Sequence, residues 1–234
     1  GRARCARRVH CLDRVAALLR RVIPLADENP LIAMSIADMP CVGPSFFDRG
    51  PREVAPGRLG MVLTSEKDGV LTGGRIVETE AYLGSDDPGS HAATKGMTKR
   101  NATMYGPPGH LYVYFTYGSH HMLNLVCESE GTAGAVLIRA LEPGIGIDAM
   151  RARRSGRPDA ELTNGPGKLA KALGLSMSDN GCTLTESVIR IRALPRAPGE
   201  KVSTSGRIGL SVGKDLQLRY YLDGHGYVSK GRTY

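Results

Sequence analysis

The segment Arg75-Ile-Val-Glu-Thr-Glu-Ala-Tyr82 has the alternation of a β-strand and carries two glutamates in its second half. Because successive side chains of a strand point to opposite faces, one face is predicted to hold Ile76, Glu78, Glu80 and Tyr82. The other face is predicted to hold Val77, Thr79, Ala81 and Leu83. A second strand-like segment, Leu111-Tyr-Val-Tyr-Phe-Thr-Tyr-Gly118, supplies more tyrosines. A carboxylate beside several flat rings is suited to binding a planar base and activating water against the bond that holds it.

Strand and helix patterns on both sides of these segments predict a fold without alternating βαβ units. A turn at Lys67-Asp68-Gly69 is predicted to join the first two strands into a hairpin. The predicted strands are Leu59–Ser65, Arg75–Leu83, Leu111–Tyr117, His121–Glu128, Ala133–Leu141, Val188–Leu194, Gly206–Val212 and Gln217–Leu222. The predicted helices are Pro51–Ala55, Ile147–Arg154 and Lys168–Leu173. We therefore expect a single α/β domain of the α+β type, with an antiparallel or mixed sheet and peripheral helices.

The charge of the chain is concentrated at its beginning. The net charge is +8, and seven arginines and one aspartate in residues 1–21 account for +6 of it. The rest is nearly balanced, so any electropositive surface for phosphate must come from local clusters. We expect residues 1–39 to form a basic N-terminal extension, either disordered or helical. Residues 40–229 would form the folded domain, and residues 230–234 a short tail.

Cysteine usage and hydropathy exclude several classes of protein. None of the five cysteines forms a Cys-x-x-Cys pair, which argues against structural zinc and against a disulfide framework. No apolar run reaches the roughly 18 residues of a membrane span. We therefore expect no metal, no membrane association and a reducing, intracellular location: cytoplasmic and nucleoid-associated, or nuclear in a eukaryote.

Three residues of the predicted strand Arg75–Leu83 and of the loop after it are candidates for acid–base or stacking roles. Glu80, next to Tyr82 and a long loop, could hold water as a general base, or it could be an ordinary ion-pair partner. Glu78, on the predicted same face, could be a second acid or the partner of an arginine. His91 in the loop could stack on a base or donate a hydrogen bond to it.

Four further candidates lie on the later strands. Tyr114 falls on the opposite face from its neighbours, and Tyr117 lies at the strand tip, where a ring can wedge into a base stack. Asn124 sits among apolar residues and needs partners, either a base edge or backbone groups. Arg139 interrupts another apolar strand, as a cation that seeks a phosphate or a carboxylate. For the tyrosines, ordinary packing remains the alternative.

Together these segments resemble the alkyladenine (3-methyladenine, methylpurine) DNA glycosylase family from about Pro44 to Ser229. The resemblance is carried by ordered motifs, which are Gly74-Arg-Ile-Val-Glu-Thr-Glu-Ala-Tyr82, His91, Lys99-Arg-Asn101, Met104, Gly106-Pro-Pro-Gly109, Leu111-Tyr-Val-Tyr-Phe-Thr-Tyr-Gly118, Asn124, Val136-Leu-Ile-Arg-Ala-Leu-Glu-Pro143, Gly165-Pro-Gly-Lys-Leu169 and Arg207-Ile-Gly-Leu-Ser-Val212. The last of these is similar to the family's closing strand. The resemblance implies a curved antiparallel sheet, a protruding β-hairpin and no cofactor.

The resemblance also implies roles for individual residues. Glu80 would be the general base, and Arg139 would help to hold the attacking water near the phosphate. Asn124 would lie at the pocket floor and disfavour the exocyclic amine of normal guanine. The remaining residues are aromatic. The flipped base would be sandwiched by Tyr82, His91 and Tyr114, and Tyr117 would act as an intercalating wedge.

The activity implied is base-excision repair of duplex DNA by a monomeric enzyme. An alkylated or deaminated purine would be flipped out and its N-glycosidic bond hydrolysed, which leaves an abasic site. No lysine lies within the Glu80 motif to form a Schiff base, so we expect no strand cleavage. Two alternatives stay open: a non-catalytic nucleic-acid-binding module that stacks bases on the same rings, and a hydrolase of free nucleosides. The sequence does not indicate which damaged purines are preferred.

Overall fold

A computed structural model describes residue 36 and residues 39–93, 96–116 and 118–230. Most of the predicted basic extension, residues 1–39, lies outside the described residues, as does Tyr117. Within the described ranges the α-helices are α1 (Pro51–Gly57), α2 (Ile147–Arg153) and α3 (Pro166–Ala172). The strands are β1 (Val62–Lys67), β2 (Val70–Tyr82), β3 (Leu111–Thr116), β4 (His120–Val126), β5 (Ala135–Ile145), β6 (Ile189–Arg192), β7 (Val202–Ser205) and β8 (Arg219–Leu222). Short 3-10 helices cover Pro44–Phe47, Ala102–Tyr105, Asp159–Glu161 and Met177–Asp179.

Strand β2 is the centre of the sheet because its two halves have different neighbours. Its first half pairs with β1, through a tight turn at Asp68 and Gly69 that both adopt positive φ. Such a turn suits the right-handed twist of a hairpin. The second half, Glu78 to Glu80, pairs with β8 instead. Strand β5 follows the other edge of β2 along most of its length. The glutamates of β2 therefore lie between β5 and β8.

The pairing of β2 with β5 is irregular at the position where the glutamates begin. The register passes from Ile76 opposite Leu141 to Glu78 opposite Ala140, and then to Thr79 opposite Ile138. It therefore skips one residue on each strand, Val77 on β2 and Arg139 on β5. Bulges of this kind redirect side chains and strengthen the local twist. Here the irregularity brings the guanidinium of Arg139 to both carboxylates of β2.

Two apolar clusters cover the two faces of the sheet. The larger cluster lies between the sheet and the helices and includes Leu63, Ile138 and Leu169, each fully buried. Burying a side chain of this size contributes about 1.5–3 kcal/mol relative to leaving it exposed. The smaller cluster lies under the long loop after β2, where Met104 and Tyr112 are buried. Several tyrosines that are only partly buried border this smaller cluster.

The architecture confirms the predicted fold class. The structure is one α/β domain of the α+β type, with a curled antiparallel sheet of eight strands in the order β3-β4-β5-β2-β1-β6 and with β7 and β8 joined through β2. Strand β3 is at the edge, and the β3–β4 hairpin becomes exposed toward its tip, where Phe115 has 45% of its surface accessible. All three predicted helices and the hairpin of the first two strands are present, with shifted ends.

Two details of the sequence prediction are wrong. Gly206–Val212 is not a strand, because its backbone and side chains bind the end of β2 and the loop beyond it rather than a neighbouring strand. The two-face assignment of β2 also fails at its start, where Ile76 and Val77 both enter the main core. The skipped register at Val77 explains this second error, since a bulge breaks strict alternation.

Candidate active site

The Glu80 carboxylate is held from three directions at the end of β2. Its Oε2 accepts hydrogen bonds from Tyr82 Oη at 2.9 Å and from Arg139 Nη1 at 3.2 Å. Its Oε1 accepts the backbone N–H of Ile208 at 2.8 Å. The side chain is fully buried. An ionised carboxylate has about four acceptor positions, so three donors leave room for one more.

Glu78 is equally buried and binds two arginines. It accepts hydrogen bonds from Arg139 Nε at 3.0 Å, Arg219 Nε at 2.6 Å, and the backbone N–H and hydroxyl of Ser229 at 2.7 and 2.8 Å. Of the two possibilities open from the sequence, the structure places Glu78 in ion pairs. A buried charged group requires hydrogen-bond partners and an opposite charge of this kind, because its contact with water is lost.

Arg139 links the two glutamates, because its Nε binds Glu78 and its Nη1 binds Glu80. Burial alone would lower the pKa of Arg139, but the carboxylates of Glu80 and Glu78 raise it above its ordinary value. The guanidinium therefore stays charged at all physiological pH values. We call Glu78, Glu80, Arg139 and Arg219 the carboxylate–guanidinium cluster.

A small cavity opens beside this cluster. It is lined by Tyr82, His91, Met104, Tyr112, Tyr114, Asn124 and Ala135, and the space between them is about 250 Å³, part of it open to solvent. Four of the seven lining side chains carry aromatic rings, so the walls of the cavity are largely flat and aromatic.

The phenol of Tyr82 connects the cavity to the cluster. Its ring lines the cavity, while its hydroxyl donates to Glu80. Burial, followed by the nearby Glu80 charge, raises the pKa of Tyr82 well above its ordinary value of 10. The hydroxyl therefore remains a donor at neutral pH, and Glu80 is kept next to the ring-lined space.

Three other rings of the cavity wall pack against one another. His91 lies 4.7 Å from Tyr114 between ring centroids, and Tyr112 lies 5.2 Å from Tyr114. His91 Nδ1 and Tyr112 Oη are 2.9 Å apart and share a hydrogen bond. Burial of the ring, with a smaller contribution from Arg100, lowers the pKa of His91. The imidazole is therefore neutral at neutral pH, as a stacking surface beside a cationic ligand requires.

Asn124 lies at the inner end of the cavity on β4 and is almost completely buried. Its Nδ2 donates to the backbone oxygen of Tyr112 across the β3–β4 pair at 3.1 Å. The residue thus combines both alternatives left open by the sequence, a backbone link and a position on the cavity wall. Because this hydrogen bond fixes Nδ2 of Asn124, the side-chain oxygen of the same amide faces other groups.

The structure brings together six of the seven residues to which the family resemblance assigns roles. Glu80 and Arg139 lie in the cluster, and the cavity lining includes Tyr82, His91, Tyr114 and Asn124. The seventh, Tyr117, lies outside the described residues.

Sequence reasoning missed Tyr112 as part of the cavity. The signal was present, since Tyr112 and Tyr114 are two residues apart on β3 and must share a face. It also missed Arg219, which reaches Glu78 from a strand 141 residues away.

A second buried ion pair lies behind Tyr82. Arg207 binds Asp87 through Nη1 at 2.6 Å and Nη2 at 2.5 Å, and both side chains are fully buried. Asp87 also accepts the backbone N–H groups of Leu83 and Gly89. Burial would raise the pKa of Asp87, but these hydrogen bonds, with that of Arg207 the strongest, lower it. The pair fixes the loop that leads from β2 to His91.

Neither a group of possible metal ligands nor a membrane-spanning helix occurs in the part of the chain that the structure describes. No group of three or more His, Cys, Asp or Glu side chains there is arranged to hold a metal ion. None of the helices in the described ranges combines the length and the apolar character needed to cross a bilayer.

The fold and the site define a single-domain protein with a buried carboxylate next to a cavity that has largely aromatic walls. A model of the methylpurine-DNA glycosylase family matches residues 45–226. A protein from Chlorobaculum parvum is 46% identical over 192 residues, which cover 82% of this chain and 91% of the relative. A protein from Carboxydothermus hydrogenoformans is 46% identical over 186 residues, 79% of this chain and 96% of the relative. A protein from Methanoculleus marisnigri is 44% identical over 189 residues, which cover 80% of this chain and 97% of the relative.

All three relatives are named as candidate 3-methyladenine DNA glycosylases. The chain belongs to the methylpurine-DNA glycosylase family, since the family model spans most of it and the relatives match nearly end to end. The sequence prediction of this family, and of a DNA glycosylase as its enzyme class, is confirmed.

Proposed function

We propose that this protein flips an alkylated or deaminated purine out of duplex DNA and hydrolyses its N-glycosidic bond, without cleaving the strand. One observation carries the proposal: the buried Glu80 carboxylate accepts a hydrogen bond from Tyr82, whose ring lines an aromatic cavity together with His91 and Tyr114. A non-catalytic module that only bound bases would not require a buried acid beside the cavity, because a negative charge there opposes the binding of DNA phosphate.

Glu80 acts in this proposal as the general base. Its fourth acceptor position binds a water, and its negative charge stabilises the oxocarbenium-like sugar as the bond to the base breaks. Arg139 holds the carboxylate in place, and its charge favours the nearby DNA phosphate. The water attacks from the side opposite to the leaving base, and an abasic site remains.

The cavity residues select the base. Tyr82 on one side and His91 with Tyr114 on the other sandwich the flipped purine, and aromatic faces attract an electron-poor or cationic ring. Asn124 disfavours the exocyclic amine of normal guanine at the cavity floor. Tyr117 fills the gap left in the duplex, which lowers the cost of flipping. Damaged pairs also unstack more readily than normal ones.

The wider assignments follow from this activity. The substrate is double-stranded DNA with a damaged purine, and the protein acts as a monomer that scans the duplex. We place it in the cytoplasm with the nucleoid, or in the nucleus of a eukaryote. Residues 40–229 form the glycosylase domain, with residues 1–39 as an extension and 230–234 as a tail.

The test is a base-release assay with wild-type protein on duplexes that contain 3-methyladenine, 7-methylguanine, hypoxanthine or ethenoadenine. The proposal predicts free base and an intact strand that breaks only after alkali treatment. Binding without release identifies a non-catalytic module. Release from free nucleosides with full activity in Tyr117→Ala identifies a nucleoside hydrolase, whereas the proposal predicts a large loss on duplex DNA.

A further inference from the structure

The buried pair of Arg207 and Asp87 has a second contact that the excision chemistry does not require. The guanidinium carbon of Arg207 lies over the Tyr82 ring, 4.6 Å from its centroid. Tyr82 lines the cavity and Arg207 is not among the described residues that line it. The guanidinium therefore covers the face of the ring that points away from the cavity.

The arrangement gives the Tyr82 ring a cation on its back. The Arg207 guanidinium is the group of this ion pair that lies over the ring. Its Nη1 and Nη2 donate hydrogen bonds to Asp87. A cation on one face of a ring draws π-density to that face, which weakens the attraction of the other face for a second cation. The Asp87 carboxylate, which binds the same guanidinium, reduces this effect.

We infer that Arg207 is a specificity-determining residue that, through Tyr82, sets the balance between cationic and neutral damaged purines. The inference rests on the proposed function, in which the flipped base stacks on the cavity side of Tyr82. A base at van der Waals distance from that face lies about 8 Å from Arg207 Cζ.

Charge movement during bond cleavage makes the direction of the effect clear. When the N-glycosidic bond breaks, its electron pair passes to the purine. A cationic purine such as 7-methylguanine becomes neutral in this step. Until the bond is fully broken the purine carries partial positive charge, and the positive charge of Arg207 repels it. A neutral purine such as hypoxanthine gains negative charge until it is protonated, which the Arg207 charge favours. Arg207 therefore assists release of neutral bases relative to cationic ones.

Arg207 also positions the machinery, in a way that does not depend on substrate charge. Its Nη1 binds the Ala81 carbonyl, and the next residue, Ile208, donates its N–H to Glu80. Loosening this segment would reduce release of both kinds of base. The ratio of the two kcat/KM values thus separates the charge effect from a structural one.

The experiment compares Arg207→Met with Arg207→Lys on duplexes that contain 7-methylguanine or hypoxanthine. Both variants break the same bidentate pair with Asp87, but only the lysine keeps the positive charge. We expect the methionine variant to raise the 7-methylguanine-to-hypoxanthine ratio of kcat/KM by about fivefold, a conservative value for one partly compensated charge at this distance. The lysine variant should change that ratio by less than about twofold, while both activities fall.

Asp87→Asn is a second variant that keeps the inference testable if the methionine variant does not fold, as judged by circular dichroism. It leaves the Arg207 charge uncompensated, so the same ratio should fall below that of the wild type. An unchanged or increased ratio in Asp87→Asn overturns the inference. So does an equal shift in the methionine and lysine variants. If the wild type releases neither base, the proposed function itself fails, and the inference fails with it.

Discussion

Two groups of buried charges in this molecule have completely different surroundings. In the carboxylate–guanidinium cluster at the end of β2, two glutamates meet two arginines through defined hydrogen bonds. At the end of α1, Arg58 is buried just as fully, but none of its three guanidinium nitrogens has a hydrogen-bond acceptor among the described residues. Its guanidinium lies on aromatic rings instead, 4.6 Å from the centroid of Phe47 and against Phe46.

The difference shows how burial acts on charge in the two places. Arg139 keeps a raised pKa despite burial, because Glu80 and Glu78 favour its charged form. Burial lowers the pKa of Arg58 to about 9, with only a smaller opposing effect from Cys127. The first region uses compensated charges to fix the geometry of a reactive carboxylate. The second carries an uncompensated charge that opposes folding.

Removing Glu78 should have the largest effect on stability. Glu78→Ala leaves Arg139 and Arg219 without the carboxylate that both bind, and breaking a buried ion pair from one side costs about 3–5 kcal/mol. Chemical denaturation should show this loss in the free energy of unfolding. The control is Arg151→Ala, which breaks an exposed pair with Asp159 and should leave stability unchanged. Equal effects of the two variants would show that the cluster contributes no more than surface pairs.

Replacing Arg58 should act in the opposite direction. Arg58→Met removes the uncompensated charge and keeps an unbranched side chain over the rings, so the free energy of unfolding should rise by about 1–4 kcal/mol. The control is Arg49→Met, since Arg49 lies over the same Phe46 ring but is exposed. A loss of stability in Arg58→Met would mean that the cation–π contacts outweigh the burial of the charge.

The pH dependence of this stabilisation has a definite sign. Burial lowers the pKa of Arg58 to about 9 in the folded protein, well below its ordinary value in the unfolded chain. Above pH 9 the folded protein loses this proton while the unfolded chain keeps it, so wild-type stability gains with rising pH. The advantage of Arg58→Met over the wild type, measured by thermal unfolding, should therefore shrink between pH 7 and pH 10. A constant advantage across this range would contradict the account.

Tyr112→Phe should give a smaller effect. It removes the hydrogen bond to His91 and keeps the ring, so stability should fall by about 1 kcal/mol or less. Release of base should fall severalfold, because the His91 ring is no longer fixed. Single-turnover release and thermal unfolding of the same preparation measure both. Unchanged release would show that other contacts orient His91.

Local patterns in the sequence predicted most of the fold. Asp68-Gly69 indicates a hairpin turn without any tertiary information, and the strands and helices follow from periodicity. The Gly206–Val212 segment was mistaken for a strand because its apolar residues alternate. What decides its conformation is contact with Glu80 and Asp87, about 120 residues earlier in the chain, which no local pattern encodes.

The site was predicted in part, for similar reasons. Glu80 and the tyrosines lie in short motifs, and the resemblance to a known family assigned them roles. The groups that hold Glu80 in place were not predicted. The Ile208 amide binds Glu80 directly, whereas Arg219 and Ser229 act through Glu78. They come from loops and strands at the far end of the chain. The burial of Arg58 without hydrogen-bond acceptors also depends on tertiary contacts, since nothing in the neighbouring sequence marks that arginine as buried.

The most direct test of the account is the activity of Glu80→Gln, which keeps the shape of the side chain and removes its ability to accept a proton. We predict that single-turnover release of base from duplex DNA falls by at least about 100-fold, as general base catalysis implies. Affinity for the damaged duplex and the circular dichroism spectrum should match those of the wild type and of Glu186→Gln, an exposed control. Release at the wild-type rate by Glu80→Gln would contradict the central role given to this carboxylate.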